Sequence, residues 1–453
     1  MQTPIADFVK EYAKKNGSRF HMPGHKGQAF LGCETLDITE VAGADALYEA
    51  EGIISESEKN ATELFGTART LFSTEGSSQC IRAMMHLVVG YWKRQCQMPG
   101  KRPYVIAARN VHKAFLYAAA LVDFDVVWLF PEEMHSLCSC RVTAEQLEAE
   151  LAHQLKVRAG AKPVAVYVTS PDYLGGQLEI AALAEICHRY DTILAVDNAH
   201  GAYLHFLYNA KHPMDLGADI CCDSAHKTLP VLTGGAYLQI SKNAPKYFAE
   251  NAKQALALFG STSPSYLILQ SLDLCNAYLA KGYREKLAVT ISRIEQLRQK
   301  LEVAGWAIEK TDPLKLTIQA PSGTTGKDMA EKLRTSQIEC EYADEEYLVL
   351  MATPENTEED FERLVRALGE NVSENVEKSC LCPTRCGQKV SIREAIFAEQ
   401  KKIAVKESLG RICGSPTVGC PPAIPIVVSG EVINQEAIQL FEYYGIEEVA
   451  VIK

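Results

Sequence analysis

The sequence predicts an α/β fold built on a mainly parallel, seven-stranded sheet with helices on both faces. Two observations carry this. From about residue 56 to 290, short apolar runs bounded by turn or polar residues alternate with helix-length segments, the pattern of a parallel sheet covered on both sides. The 453 residues are 47% hydrophobic and 23% charged, a globular composition long enough for two or three domains. No internal repeat or low-complexity tract competes with that reading.

Residues 1–40 read as an arm, with a short helix over 5–15 followed by the loop His21-Met22-Pro23-Gly24-His25-Lys26-Gly27. Strands are expected at 70–73, 104–108, 126–130, 164–169, 192–197 and 219–223. A further strand, 236–240, follows Gly234-Gly235 and is expected to run antiparallel at one side of the sheet. Helices intervene at 77–94, 144–155 and 180–190, and a long charged helix, about 272–304, leads out of the domain. Strands at 306–308, 315–319 and 347–351 with helices near 327–336 and 357–368 suggest a small α/β domain. Residues 370–386 read as a polar, cysteine-bearing linker, and the tail as a helix (392–399), the Pro-rich segment CPPAIPIVVSGE, and a terminal helix and strand. The expected division is an arm (1–40), a large domain (41–290), a small domain (291–370) and a C-terminal domain (371–453).

A net charge of −11 and a pI near 5.6 argue against a nucleic-acid partner, which needs a basic face. The N-terminus is too polar for a signal peptide, and no later stretch reaches about 18 uninterrupted apolar residues, so neither secretion nor a membrane is expected. A cytoplasmic protein keeps its 15 cysteines reduced, and Cys187, Cys221, Cys222 and Cys275 lie in apolar runs as small core residues. Cys380, Cys382 and Cys386 cluster in a polar stretch, with Cys413 and Cys420 downstream. Their spacing is irregular and no histidine lies near, so no metal is expected there.

In an open parallel sheet, ligands bind beyond the carboxyl ends of the strands. The first strand leads into Thr74-Glu75-Gly76-Ser77-Ser78-Gln79 and directly into a helix, an anion cradle by small residues, free N–H groups and helix dipole. It carries neither the Walker lysine pattern nor the dinucleotide glycine pattern, and by itself it reads as an ordinary helix cap at Ser77 or Ser78. The second strand leads to Arg109-Asn110-Val111-His112-Lys113, where His112 is placed to stack on a flat ring. The strand at 192–197 ends in Asp197-Asn198-Ala199-His200-Gly201, and a buried acid there needs a cationic partner such as a protonated pyridine nitrogen. The strand at 219–223 runs into Ser224-Ala225-His226-Lys227-Thr228, and apolar surroundings there favour a neutral, imine-forming Lys227. Ser224 and His226 add donors for a phosphate. One loop of this kind is an ordinary cap or anchor; the four together describe a pyridoxal-phosphate site.

The matching stretches HMPGHKG (21–27), TEGSS (74–78), RNVHK (109–113), TSPDYLGG (169–176), DNAHGAYLHF (197–206), SAHKTLP (224–230), STSPSYLILQSLD (261–273), REAIF (393–397) and PPAIP (421–425) follow in order along nearly the whole chain. In these the sequence resembles the bacterial ornithine/lysine/arginine decarboxylases (group III), which are fold-type I pyridoxal 5'-phosphate enzymes. The resemblance implies that Lys227 holds the cofactor covalently, Asp197 meets the pyridine nitrogen, and His112 stacks on the ring. It implies phosphate-side contacts from Gly76, Ser77, Ser78, Ser224 and His226, with His200 beneath or beside the ring. It also implies a homodimer, with Thr262 or Ser263 reaching the neighbouring subunit's phosphate. Asn198 stands where the family often has Glu, and Ala423 where it has Gly. The extra receiver-like domain of the large inducible members is lacking, which marks a short form and puts a ring of five dimers in doubt.

The implied reaction is α-decarboxylation of a basic amino acid to carbon dioxide and a polyamine precursor, with Lys227 or His226 returning the proton. Arginine leads on analogy with other short forms, with lysine and ornithine behind. Rival readings are an aminotransferase or carbon–carbon lyase on the same fold, and an inactive regulatory paralogue. An acidic residue must read the distal cation, and Glu49, Glu51 and Glu431 are the candidates by position, though each reads first as a solvated surface charge.

Overall fold

Strand formation follows the apolar runs closely. The computed structural model describes residues 1–95, 102–132, 134, 136–369, 385–416 and 422–453. Its seven main strands are β1 (Arg69–Ser73), β2 (Tyr104–Ala108), β3 (Asp125–Leu129), β4 (Ala165–Thr169), β5 (Ile193–Asp197), β6 (Ile220–Asp223) and β7 (Ala236–Ile240). They form one sheet in the order β1-β7-β6-β5-β4-β2-β3. The β2/β3 and β5/β6 pairs are parallel, while β7 is antiparallel to both β6 and β1. The reversal expected at Gly234-Gly235 is therefore present, and β1 rather than β7 takes the edge.

By contact the chain divides into two compact units, Met1–Lys101 with Val164–Tyr167 and Ile180–Glu285, and Arg102–Pro163 with Val168–Glu179 and Lys286–Lys453. In the first, helix Gly76–Gln95 follows β1, Ile180–Arg189 precedes β5, and Tyr266–Leu279 closes the segment. Pro4–Lys14 packs on Ile53–Phe65 and Tyr266–Leu279. The long helix expected at 272–304 is two helices, Tyr266–Leu279 and Tyr283–Val303. The chain breaks at Gly282, whose φ of +73° a helix cannot hold.

The second unit holds a four-stranded sheet of β8 (Ile308–Glu309), β9 (Lys315–Gln319), β10 (Tyr342–Ala343) and β11 (Tyr347–Met351), in the order β10-β11-β9-β8. Leu316, Ile318, Leu348 and Leu350 pack there with Leu297, Leu333 and Leu364 from three helices. In the tail, β12 (Gln400–Ala404) pairs antiparallel with β13 (Glu448–Ile452), and helix Gln435–Tyr443 joins a core that includes Val427, Ile433 and Phe441. Capping boxes led by Thr143, Thr325, Thr357 and Ser391 fix four helix starts, each worth about 1 kcal/mol. Most of the expected cysteine-bearing linker, with Cys380 and Cys382, lies outside the described residues, as does the downstream Cys420.

Candidate active site

The site is built at the carboxyl ends of β5 and β6, adjacent parallel strands whose register sets Asp197 beside Cys222. Side chains alternate across a strand, so these two share a face, and Asp223 turns to the other. Asp197 is 2% exposed. The Tyr167 hydroxyl of β4 donates to its Oδ2 at 3.2 Å, the Ala199 N–H to its Oδ1 at 3.2 Å, and the Cys222 thiol to Oδ1 at 3.6 Å. All three donors are neutral. Burial pushes the Asp197 carboxyl up from the usual carboxylate range, and the positive charge of Lys227 opposes that shift.

Lys227 lies in the single helical turn Ala225–Thr228 after β6. Its Nζ is 2.9 Å from Nε2 of His200, which is buried in the turn after β5. His226 lies 3.0 Å through Nδ1 from the Gly235 carbonyl, and since a carbonyl only accepts, Nδ1 carries a proton. Ser224, at the start of the turn, donates from Oγ to Ser77 Oγ at 2.8 Å. Ser77 and Ser78 begin the 20-residue helix Gly76–Gln95 and are half-buried. Gly76 enters that helix at φ +71°, and its N–H donates to Gly234 O at 2.7 Å. Gly234 has φ +101°, and a Cβ there would lie 2.8 Å from the Thr74 carbonyl, so only glycine lets the two turns approach. Hydroxyls, a helix N-terminus, a lysine, an imidazole and a buried acid thus gather at these strand ends, an arrangement suited to an anion beside an amine and a carboxylate.

Thr262 and Ser263 are exposed within their loop. The Ser261 N–H donates to the Glu75 carboxylate, and Ser265, rather than either of them, caps helix Tyr266–Leu279. His112 belongs to the second unit, where its Nδ1 accepts from the Ala114 N–H at 3.1 Å and caps helix Lys113–Val122.

The opposite face of β6 holds a network that the spacing of residues did not suggest. Asp223, fully buried, accepts from Asn198 Nδ2 at 2.6 Å, from His212 Nε2 at 3.1 Å, and from Gln239 Nε2. Asn198 thereby ties the turn after β5 to the end of β6. His212, Cys221 and Asp223 are one group of potential metal ligands among the described residues. Asp223 is already met by three side-chain donors, and His212 Nδ1 accepts from the Met214 N–H at 3.2 Å, so the group reads as a hydrogen-bonded core.

Of the acids considered for a distal cation, Glu49 and Glu51 are exposed. Glu431 is not a surface charge: it is 3% exposed, 4.0 Å from Arg109 Nη2, and accepts from the Val428 N–H at 2.8 Å. Burial raises its pKa and Arg109 opposes the rise. Sequence reasoning missed Tyr167, Cys222, Asp223 and His212. The available signal was a polar side chain in an otherwise apolar strand, as in Ala-Val-Tyr-Val or Ile-Cys-Cys-Asp.

Residues 3–320 match the family model described as the Orn/Lys/Arg decarboxylase major domain. An arginine decarboxylase of Halalkalibacterium halodurans is 31% identical, covering 96% of this chain and 91% of its own. An arginine decarboxylase of Bacillus subtilis is 30% identical, covering 96% and 92%. The fold matches a lysine decarboxylase of Francisella novicida with a TM-score of 0.81 at 17% identity, over 100% of this chain and 81% of that one.

Proposed function

The chain belongs to the Orn/Lys/Arg decarboxylase family, and from that premise we propose that it removes the α-carboxylate of arginine, using pyridoxal 5'-phosphate. Decarboxylation of a basic amino acid is the activity of the family; arginine is favoured because the relatives named above at about 30% identity are arginine decarboxylases over nearly their full length. The observation that carries the reading is the geometry at β5 and β6. A buried carboxylate, Asp197, accepts from three neutral donors at one strand end, while Lys227 follows the adjacent strand.

The residues fit the cofactor. Ser77, Ser224 and the first N–H groups of helix Gly76–Gln95 suit a phosphate, and nothing lies within 4 Å of where a Cβ on Gly76 would stand. Asp197 suits a protonated pyridine nitrogen, which would return the ionic partner its burial calls for. When bound, the cofactor supplies a sink for the electron pair left as carbon dioxide departs. The protein's part is positional and protonic. Lys227 Nζ holds the cofactor and afterwards carries a proton, for which His200 Nε2 at 2.9 Å is the nearby acceptor. His226, whose Nδ1–H is turned to Gly235, is proposed to serve the phosphate side or the reacting face. Thr262 and Ser263, exposed in their own chain, are proposed to complete a neighbour's phosphate site in a homodimer. Among the described residues no helix is long and apolar enough to cross a membrane, in keeping with a proposed cytoplasmic enzyme.

The test is to supply purified, cofactor-loaded protein with arginine, lysine and ornithine separately and to measure carbon dioxide and amine products. Arginine is expected to give the highest kcat/KM. Keto-acid formation would favour an aminotransferase, and turnover of lysine or ornithine above arginine would overturn the substrate assignment.

A further inference from the structure

Tyr167 stands alone in polarity among Ala165, Val166 and Val168, in a strand whose first four residues are fully buried. A phenol at such a position must hydrogen-bond or lose solvation free energy. Its hydroxyl meets Asp197 Oδ2 at 3.2 Å. Burial first, and the Asp197 charge second, hold the phenol's pKa far above its ordinary value, so at working pH it donates and does not ionise. The other Asp197 oxygen takes the Ala199 N–H and the Cys222 thiol, a weak donor at 3.6 Å. Tyr167 is thus the hydroxyl that fixes the rotation of the carboxylate and draws charge from Oδ2.

We propose that Tyr167 is a positioning residue for the reaction, acting through Asp197. By donating to that carboxylate it keeps Asp197 ionised and in one orientation, so that the proton shared with the cofactor's ring nitrogen rests on the ring. The inference rests on the reading of Asp197 and Lys227 as cofactor partners. It differs from a packing role in a way that can be measured. A carboxylate stripped of a donor becomes more basic and draws the shared proton toward itself, which leaves the ring a poorer electron sink.

Tyr167→Phe keeps the ring and removes only the donor. In the cofactor-loaded enzyme the visible cofactor band should titrate at a higher pH, by about half a unit or more. The kcat should fall about tenfold or more while KM changes less, and the apoenzyme's melting temperature should move little. Replacing Tyr167 with 3-fluorotyrosine, a stronger donor of nearly the same shape, should shift the band's midpoint the other way. Unchanged midpoints in both variants would overturn the proposal, whatever happens to stability. Should Tyr167→Phe fail to fold, the fluorotyrosine midpoint alone decides. If the unaltered protein develops no cofactor band, or Asp197→Asn matches it in titration and rate, the underlying assignment fails instead.

Discussion

His200 Nε2, 2.9 Å from Lys227 Nζ, gives the amine an acceptor inside a turn walled by the buried Ala225, Thr228 and Leu229. That setting suits an amine that must shed and regain a proton, which most surface lysines have no means to do. Lys227→Ala is therefore expected to abolish turnover and remove the visible cofactor band. Borohydride treatment of the loaded enzyme followed by peptide mapping should label the peptide containing Lys227, and a label on Lys26 or Lys113 would sink the assignment. At this scale the sequence was legible in position: Asp197 closes an apolar strand and Lys227 lies in the turn after the next one, as expected. It was not legible for Asp223 and His212. Their acid–imidazole contact at 3.1 Å joins positions 11 residues apart, and neither residue type is unusual by itself.

Three helices meet on one carboxylate in the first unit. Asp273 of Tyr266–Leu279 accepts from the Ala6 N–H of Pro4–Lys14 at 2.9 Å and from Ser57 Oγ of Ile53–Phe65 at 2.5 Å. Burial raises its pKa from 3.8 to about 6, although both hydrogen bonds lower it. The folded state therefore holds a proton that the unfolded chain has already lost between those two pH values. Stability linked to this group rises as pH falls from about 7 to 4, by about 3 kcal/mol at most. Chemical denaturation of the wild type and of Asp273→Asn at both pH values should give a stability difference that moves toward the wild type at the lower pH. A difference that does not change with pH would mean Asp273 titrates normally. Among elements, the sheet strands were read to within a residue or two because each is a short apolar run with clear ends. Helix Lys113–Val122 was not, since KAFLYAAALV is apolar all round and lacks an amphipathic period. Strand Gln400–Ala404 was missed for the opposite reason, its Gln-Lys-Lys being polar while its pairing partner lies 44 or more residues onward.

For the whole molecule the proposed unit of function is a homodimer with shared sites. Mixing an inactive Lys227→Ala chain with an inactive Thr262→Tyr/Ser263→Tyr chain should then restore up to about a quarter of wild-type activity, because half of the statistical dimers are hybrids carrying one intact site of two. Hybrids that form and remain inactive would refute sharing. The reason to expect sharing is local. Thr262 and Ser263 are exposed, although their loop is anchored by the Ser261 N–H on Glu75, beside the turn proposed to hold the phosphate, which begins helix Gly76–Gln95.

The sequence by itself determined the α/β class, the strands of the main sheet and the turns that follow them, because each depends on residues close together in the chain. It also carried the family resemblance, through motifs spread over 21–425. Only the tertiary structure decided which side chains meet. Pairing of β5 with β6 set Cys222 beside Asp197, and the approach of β4 brought in the Tyr167 hydroxyl. Packing also withdrew Glu431 from the surface and set it beside Arg109, 322 positions earlier in the chain. Such contacts follow from register and burial, which one-dimensional periodicity does not encode: it fixes which face a residue takes, but not the partner that face will find.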